Sequence, residues 1–189
     1  MYFPDDMTFQ SFFFTTYPGY FLQALPIALI TGLIFILYRT RHSGDRSITK
    51  ALVPALFICY ITGLLCLTLF LDVMSDLYYF LFYRSASGMN IQWFTLNYNL
   101  ALRISLSDAE TIGNFLMFLP FGALYPLFRP KSTLVRTASA GVAVCLAIEF
   151  LQPIFGRSFD ISDILLNGLA IAISASVFHA SRHFLFHRP

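Results

Sequence analysis

Between residues 149 and 167 the chain carries Glu149, Gln152, Arg157, Asp160, Asp163 and Asn167, with almost wholly apolar sequence on either side. Carboxyl groups beside a guanidinium suit general acid–base work. Glu149 and Asp163 would be the catalytic pair that takes and returns a proton, and Arg157 would hold an anion. The same oxygens suit a hard cation such as Mg²⁺ or Ca²⁺. Gln152, Asp160 and Asn167 add groups that bind a ligand by hydrogen bonds. Spacing puts them on common faces: Glu149 and Gln152 are i, i+3, and Asp160, Asp163 and Asn167 are i, i+3, i+7. Glu110 and Asn114, at i, i+4, form a third stripe. Glu110 also ends "SDAE", Ser107 to Glu110, which has the form of a capping box, so helix capping is an equal alternative for it.

These residues need elements to hold them, and composition says which. Of 189 residues, 57% are hydrophobic and 12% charged, with 22 Phe and 10 Tyr. A soluble domain carries about 25% charged residues, so the chain falls in the membrane class. Five stretches approach the roughly 20 apolar residues that cross a hydrocarbon core: 20–38, 51–71, 111–128, 137–155 and 161–179. The expectation is one all-α, polytopic membrane bundle of about five transmembrane helices over residues 1–189. No basic residue precedes Arg39, so the first run lacks a signal-peptide n-region and reads as a retained span.

Basic residues set the orientation. Arg39, Arg41, Arg46, Lys50, Arg129, Lys131, Arg136, Arg182 and Arg188 fall on one side, nine of the twelve; Arg84, Arg103 and Arg157 fall on the other. The positive-inside rule puts the N-terminus outside and the C-terminus in the cytoplasm, and the link between spans four and five outside. Glu149 then sits about 9 Å inside its helix end, and Asn167 about 10 Å down the next helix. The external connection from Asp72 to Glu110 contains "MSDLYYFLFYR", too short to span and expected at the interface or partly re-entrant. Trp93, Phe94 and Tyr98 suit the headgroup region, as does "FQSFFFTTYPGYF" near the N-terminus.

Other constellations are weaker. Cys59, Cys66 and Cys145 lie in apolar runs without metal-ligand spacing and read as buried small residues. His179, His183 and His187 form an i, i+4, i+8 stripe; with Arg182 and Arg188 interleaved, an interfacial helix end is preferred to a metal site. A net charge of +2 without a basic stripe excludes a nucleic-acid partner. Phosphate-loop, His-Glu-x-x-His and nucleophile-elbow motifs are absent. Pro120 with Gly122 is placed to bend span three around a pocket.

"NFLMFLPFG" at Asn114 to Gly122, followed by "EFLQPIFGRSFDISDILLNG" from Glu149, resembles the VanZ-like family of bacterial membrane proteins. Matching positions are Asn114, Phe118, Pro120, Gly122, Glu149, Gln152, Arg157, Asp163 and Asn167, over about 108–178. Ala170 and Ser174 stand where relatives often have glycine, and the link from Gln152 to Arg157 is one residue shorter than usual. The resemblance implies a multi-pass protein of the bacterial plasma membrane, related to one that gives low-level resistance to the glycopeptide teicoplanin.

Two functional readings follow. One is a binding protein whose outer polar pocket takes a cell-envelope amphiphile, such as a membrane lipid or a lipoglycopeptide. The other is a membrane-embedded enzyme whose outer-face carboxylates act on a lipid headgroup or a lipid-linked cell-wall precursor. A structural knot of polar side chains is the third, plainer account.

Overall fold

The computed structural model of the chain describes residues 8–42, 48–84, 93–94, 97–102 and 109–186. It is helical almost throughout: α1 Phe9–Thr15, α2 Tyr17–His42, α3 Ile48–Thr68, α4 Leu71–Tyr83, α5 Ala109–Phe128, α6 Leu134–Leu151 and α7 Ile161–Phe186. Two-residue strands β1 (Tyr98–Asn99) and β2 (Phe159–Asp160) pair in parallel, Tyr98 opposite Phe159 and Asn99 opposite Asp160.

Five helices are long and apolar enough to cross a membrane, Tyr17–His42, Lys50–Thr68, Thr111–Phe128, Leu134–Phe155 and Ile161–His183, with mean hydropathy between 1.4 and 2.2. Their outward faces are apolar: Leu29, Leu33 and Ile34 are 56%, 56% and 58% exposed. Such a surface is at home in hydrocarbon, not in water. The second span stops at Thr68, three residues before the expected end, because the chain turns at Leu69 and Phe70 into α4. The fourth changes at Gln152 from α to a 3₁₀ turn, Gln152–Phe155. Pro153 explains the change, since it has no N–H for the Glu149 carbonyl and its ring crowds the preceding turn.

α7 is the central helix. It packs against α5 and α6, while α2 pairs with α3 and α3 leans on α5. The core between them holds Phe57, Leu64, Phe118, Phe121, Ile148 and Ile171. Small residues let the backbones approach. A side chain at Gly122 would strike Ser174 and the Ala175 amide and come within 2.8 Å of the Ile171 carbonyl. Ala170 is fully buried. Ala170 and Ser174, where glycine was expected, are therefore small enough for the α5–α7 seam, and Gly122 supplies the rest of the clearance. α5 runs unbroken through Pro120 and Pro126.

α1 and α4 cap one end of the bundle. α4 has 13 residues, about 20 Å, too short to span. Aromatic rings hold it to α1: Phe13 meets Tyr78 and Phe82 edge-on, with centroids 5.4 and 5.6 Å apart. Beneath them Gln23, fully buried on α2, donates from Nε2 to the Phe13 carbonyl (2.6 Å) and accepts from the Ser75 hydroxyl (2.8 Å). The Tyr78 hydroxyl donates to the Gln23 carbonyl at 3.0 Å.

The Gly122 contact yields a prediction. Gly122→Val must push α5 off α7, because two of the three nearest atoms belong to backbone. The cost should be about 1–3 kcal/mol, read as a lower melting temperature of the purified protein in detergent, whereas Ser174→Ala should melt like the wild type.

Candidate functional site

The polar residues meet where α3 ends, α6 turns into α7 and α5 passes alongside. Asn114, Glu149, Gln152, Arg157, Asp163 and Asn167 line one small cavity of about 20 Å³, closed by Leu67, Thr68, Met117, Phe118 and Ile148. Three helices and one turn thus bring together six of the polar residues singled out from sequence. Glu149, Gln152 and Asn167 are 1%, 4% and 3% exposed. The cavity has room for about one water molecule.

Glu149 is held by the turn that follows it. Gly156, at φ 84°, takes the left-handed conformation that a side chain would disfavour, and its N–H bonds back to the Gln152 carbonyl. The reversal returns the Asp160 N–H to Glu149 Oε2 at 3.0 Å. With the Gln152 amide turned so that its nitrogen faces acceptors, it donates to the same Oε2 (3.0 Å) and to the Ser158 carbonyl (2.9 Å). Arg157 reaches across the cavity, its Nη1 donating to the Leu67 and Thr68 carbonyls at 3.3 and 3.4 Å. Those are among the last carbonyls of α3, which lack helical partners and favour a cation.

Asp160 has a different task. It does not line the cavity. Oδ1 accepts from the Ser162 N–H at 2.7 Å, which caps α7, and Oδ2 accepts from Asn99 Nδ2 at 2.7 Å. That second bond, the β1–β2 pairing and a bond from the Ser162 hydroxyl to the Ala101 carbonyl (3.3 Å) fasten residues 98–101 over the α6–α7 turn. Trp93 lies against Phe155 there, with ring centroids 5.7 Å apart, and remains half-exposed.

Asn167 stands apart from its neighbours. Its Oδ1 is buried and has no hydrogen-bond partner among the described residues. A buried acceptor left unpaired costs about 1–3 kcal/mol, so native structures rarely keep one without a reason. The amide lines the same cavity as the carboxyl groups of Glu149 and Asp163.

Sequence reasoning missed three contributors: the end of α3, Asn99 and the Ser158 carbonyl. A helix C-terminus always presents unpaired carbonyls, so the first was available in principle. Asn99 lies in a stretch without periodicity, and no signal marked it. Ser107, the start of the supposed capping box, and His187 lie outside the described residues. The His179 ring approaches the Thr137 hydroxyl at 3.4 Å, and His183 is exposed. Among the described residues no three His, Cys, Asp or Glu side chains come together as metal ligands. Cys66 and Cys145 are buried and free.

Asp160→Ala removes the α7 cap and the tie to Asn99. It should cost about 0.5–2 kcal/mol of stability, seen as a lower thermal midpoint in detergent. Asp160→Asn keeps an acceptor for Ser162 and should lose less.

No curated protein and no solved structure matches the chain. A family model, VanZ/LLP1, matches residues 25–182, a stretch that includes every residue lining the cavity. With its five membrane-crossing helices and Asn114, Glu149, Gln152, Arg157, Asp163 and Asn167 gathered in one place, the chain belongs to the VanZ/LLP1 family.

Proposed function

We propose that this protein binds a cell-envelope amphiphile at the outer face of the bacterial plasma membrane, with one polar group of the ligand entering the cavity beside Asn167. The observation that carries this reading is the buried Asn167 Oδ1, an acceptor that no group among the described residues satisfies, in a cavity it shares with Glu149 and Asp163. A hydroxyl, an ammonium or an amide N–H would satisfy it, and Glu149 and Asp163 would favour a cationic donor over a neutral one. The outward placement rests on the positive-inside rule, which assigns nine of the twelve basic residues in the sequence to the cytoplasmic side. Membrane lipids, lipid-linked cell-wall precursors and the lipoglycopeptide teicoplanin all combine such groups with an acyl chain. Binding of the last would link the pocket to glycopeptide resistance.

The test is enrichment. Purified protein is equilibrated with bacterial lipid extract and, separately, with teicoplanin, and what co-purifies is identified by mass spectrometry. Wild type should retain one species saturably, and Asn167→Leu, which fills the space and removes the amide, should retain at least tenfold less while melting normally. Equal retention by the variant overturns the proposal. If teicoplanin is the ligand, cells carrying the wild type should need more of it for growth arrest than cells carrying the variant.

One observation favours a second reading, a membrane-embedded enzyme. A space for one water, lined by Glu149 and Asp163 with Arg157 alongside, suits hydrolysis of an ester in a headgroup or lipid-linked precursor. Water would add to the ester centre, Glu149 would take its proton, Asp163 would protonate the departing alcohol, and Arg157 would steady the developing anion. Asp163→Asn should then abolish product formation in folded protein. The product would be sought by comparing lipid extracts of cells with and without the chain.

A further inference from the structure

The opposite end of the bundle holds a second concavity, of about 580 Å³, between the end of α5 and the start of α6. Tyr125 and Phe128 form its aromatic wall, and Arg129, Lys131, Ser132 and Arg136 its polar side. We propose that this pocket binds the phosphodiester headgroup of an anionic phospholipid. The site is separate from the cavity at Asn167 and does not depend on what that cavity binds.

Charge is the first ground. Arg129, Lys131 and Arg136 are exposed, and the only acid in the three sequence segments at this end is Asp45, which lies outside the described residues. Three cations around one hollow therefore face a ligand without a nearby carboxylate among the described residues, and phosphate oxygens fit guanidinium and ammonium donors. The second ground is the collar beside the cations. Leu127, Leu134 and Val135 are 45%, 40% and 73% exposed, so apolar surface adjoins the charge along the helices. A free anion would use only the cations, whereas a phospholipid uses both surfaces.

The pocket is also held in shape before anything binds. The Ser132 N–H bonds to the Arg129 carbonyl (2.8 Å), the Ser132 and Thr137 hydroxyls meet at 3.0 Å, and Arg182 of α7 donates to the Pro130 carbonyl at 3.1 Å. Arg129 lies over the Phe128 ring, 5.3 Å from its centroid, which limits where that guanidinium can go. Walls fixed in this way reduce the ordering needed on binding. The volume falls among small-molecule sites, which run from about 300 to 1,000 Å³.

The experiment uses the full chain in detergent micelles, titrated with dihexanoyl phosphatidylglycerol, dihexanoyl phosphatidylcholine and inorganic phosphate, with bound species counted by native mass spectrometry. Wild type should bind the glycerol lipid at least tenfold more tightly than the choline lipid, and inorganic phosphate at the same concentration should not displace it. The triple variant Arg129→Gln, Lys131→Gln, Arg136→Gln should lose that preference, while Arg39→Gln with Arg41→Gln, at the same end but outside the pocket, should keep it. Equal affinity for the two lipids overturns the proposal. So does an equal loss in the Arg39 and Arg41 variant, which would mean diffuse attraction, and so does full displacement by inorganic phosphate, which would mean a site for the free anion. Should the triple variant fail to fold, Lys131→Glu alone decides, since a charge reversal in the pocket must weaken the glycerol lipid and leave the choline lipid unmoved.

Discussion

A carboxyl group inside a membrane-crossing helix is among the costliest side chains a protein can bury, and it persists only where polar partners surround it. Glu149 is that group here, 1% exposed near the end of α6. The local chain is arranged around it. Pro153 ends the α-helix, Gly156 reverses the backbone, and the reversal brings the Asp160 amide back to the carboxylate that the helix left behind. Because Asp160 then caps α7, the same contact fixes where α7 begins. It thereby sets the depth of Asp163 and Asn167. One hydrogen bond across eleven residues of sequence aligns two helices.

Gln23 shows what a purely structural polar residue looks like in this bundle. It is as deeply buried as Glu149, yet both ends of its amide are satisfied, by Phe13 and Ser75, and its carbonyl by Tyr78. Its bonds join α1, α2 and α4. Asn167 has the same kind of side chain, is buried among the polar groups of the cavity, and its Oδ1 has no partner among the described residues. Packing alone favours a fully paired amide or a leucine, and Gln23 fits that demand where Asn167 does not.

The five spans were legible because the bilayer imposes one length and one polarity on any helix that crosses it, and runs such as 20–38 and 51–71 carry that signature plainly. The polar cluster was legible too, because polar groups at helical spacing in an apolar chain are rare enough to stand out. Which of them share a cavity was less so. Asp160 occupies the same stripe as Asp163, but a residue at a helix start is drawn to the backbone amides two residues on, and periodicity says nothing of that competition. Gln23 and Asn99 escaped notice for a different reason. Each is a single polar residue whose partners lie far along the chain, 52 residues away for Ser75 and 61 for Asp160, and pairings at that distance leave no local pattern.

The size of the cavity has a consequence for how a ligand of the proposed kind would have to behave. At about 20 Å³ the space between the side chains takes one small polar group. Entry of anything larger requires one wall to move first. Arg157, whose Nη1 donates to the Leu67 and Thr68 carbonyls at 3.3 and 3.4 Å, ties the α6–α7 turn to the end of α3 on one side of that space. Observed affinity is then the intrinsic affinity reduced by the fraction of molecules in which the wall is parted. Substitutions at the end of α3, away from every acid in the cavity, would therefore tune binding by changing that fraction.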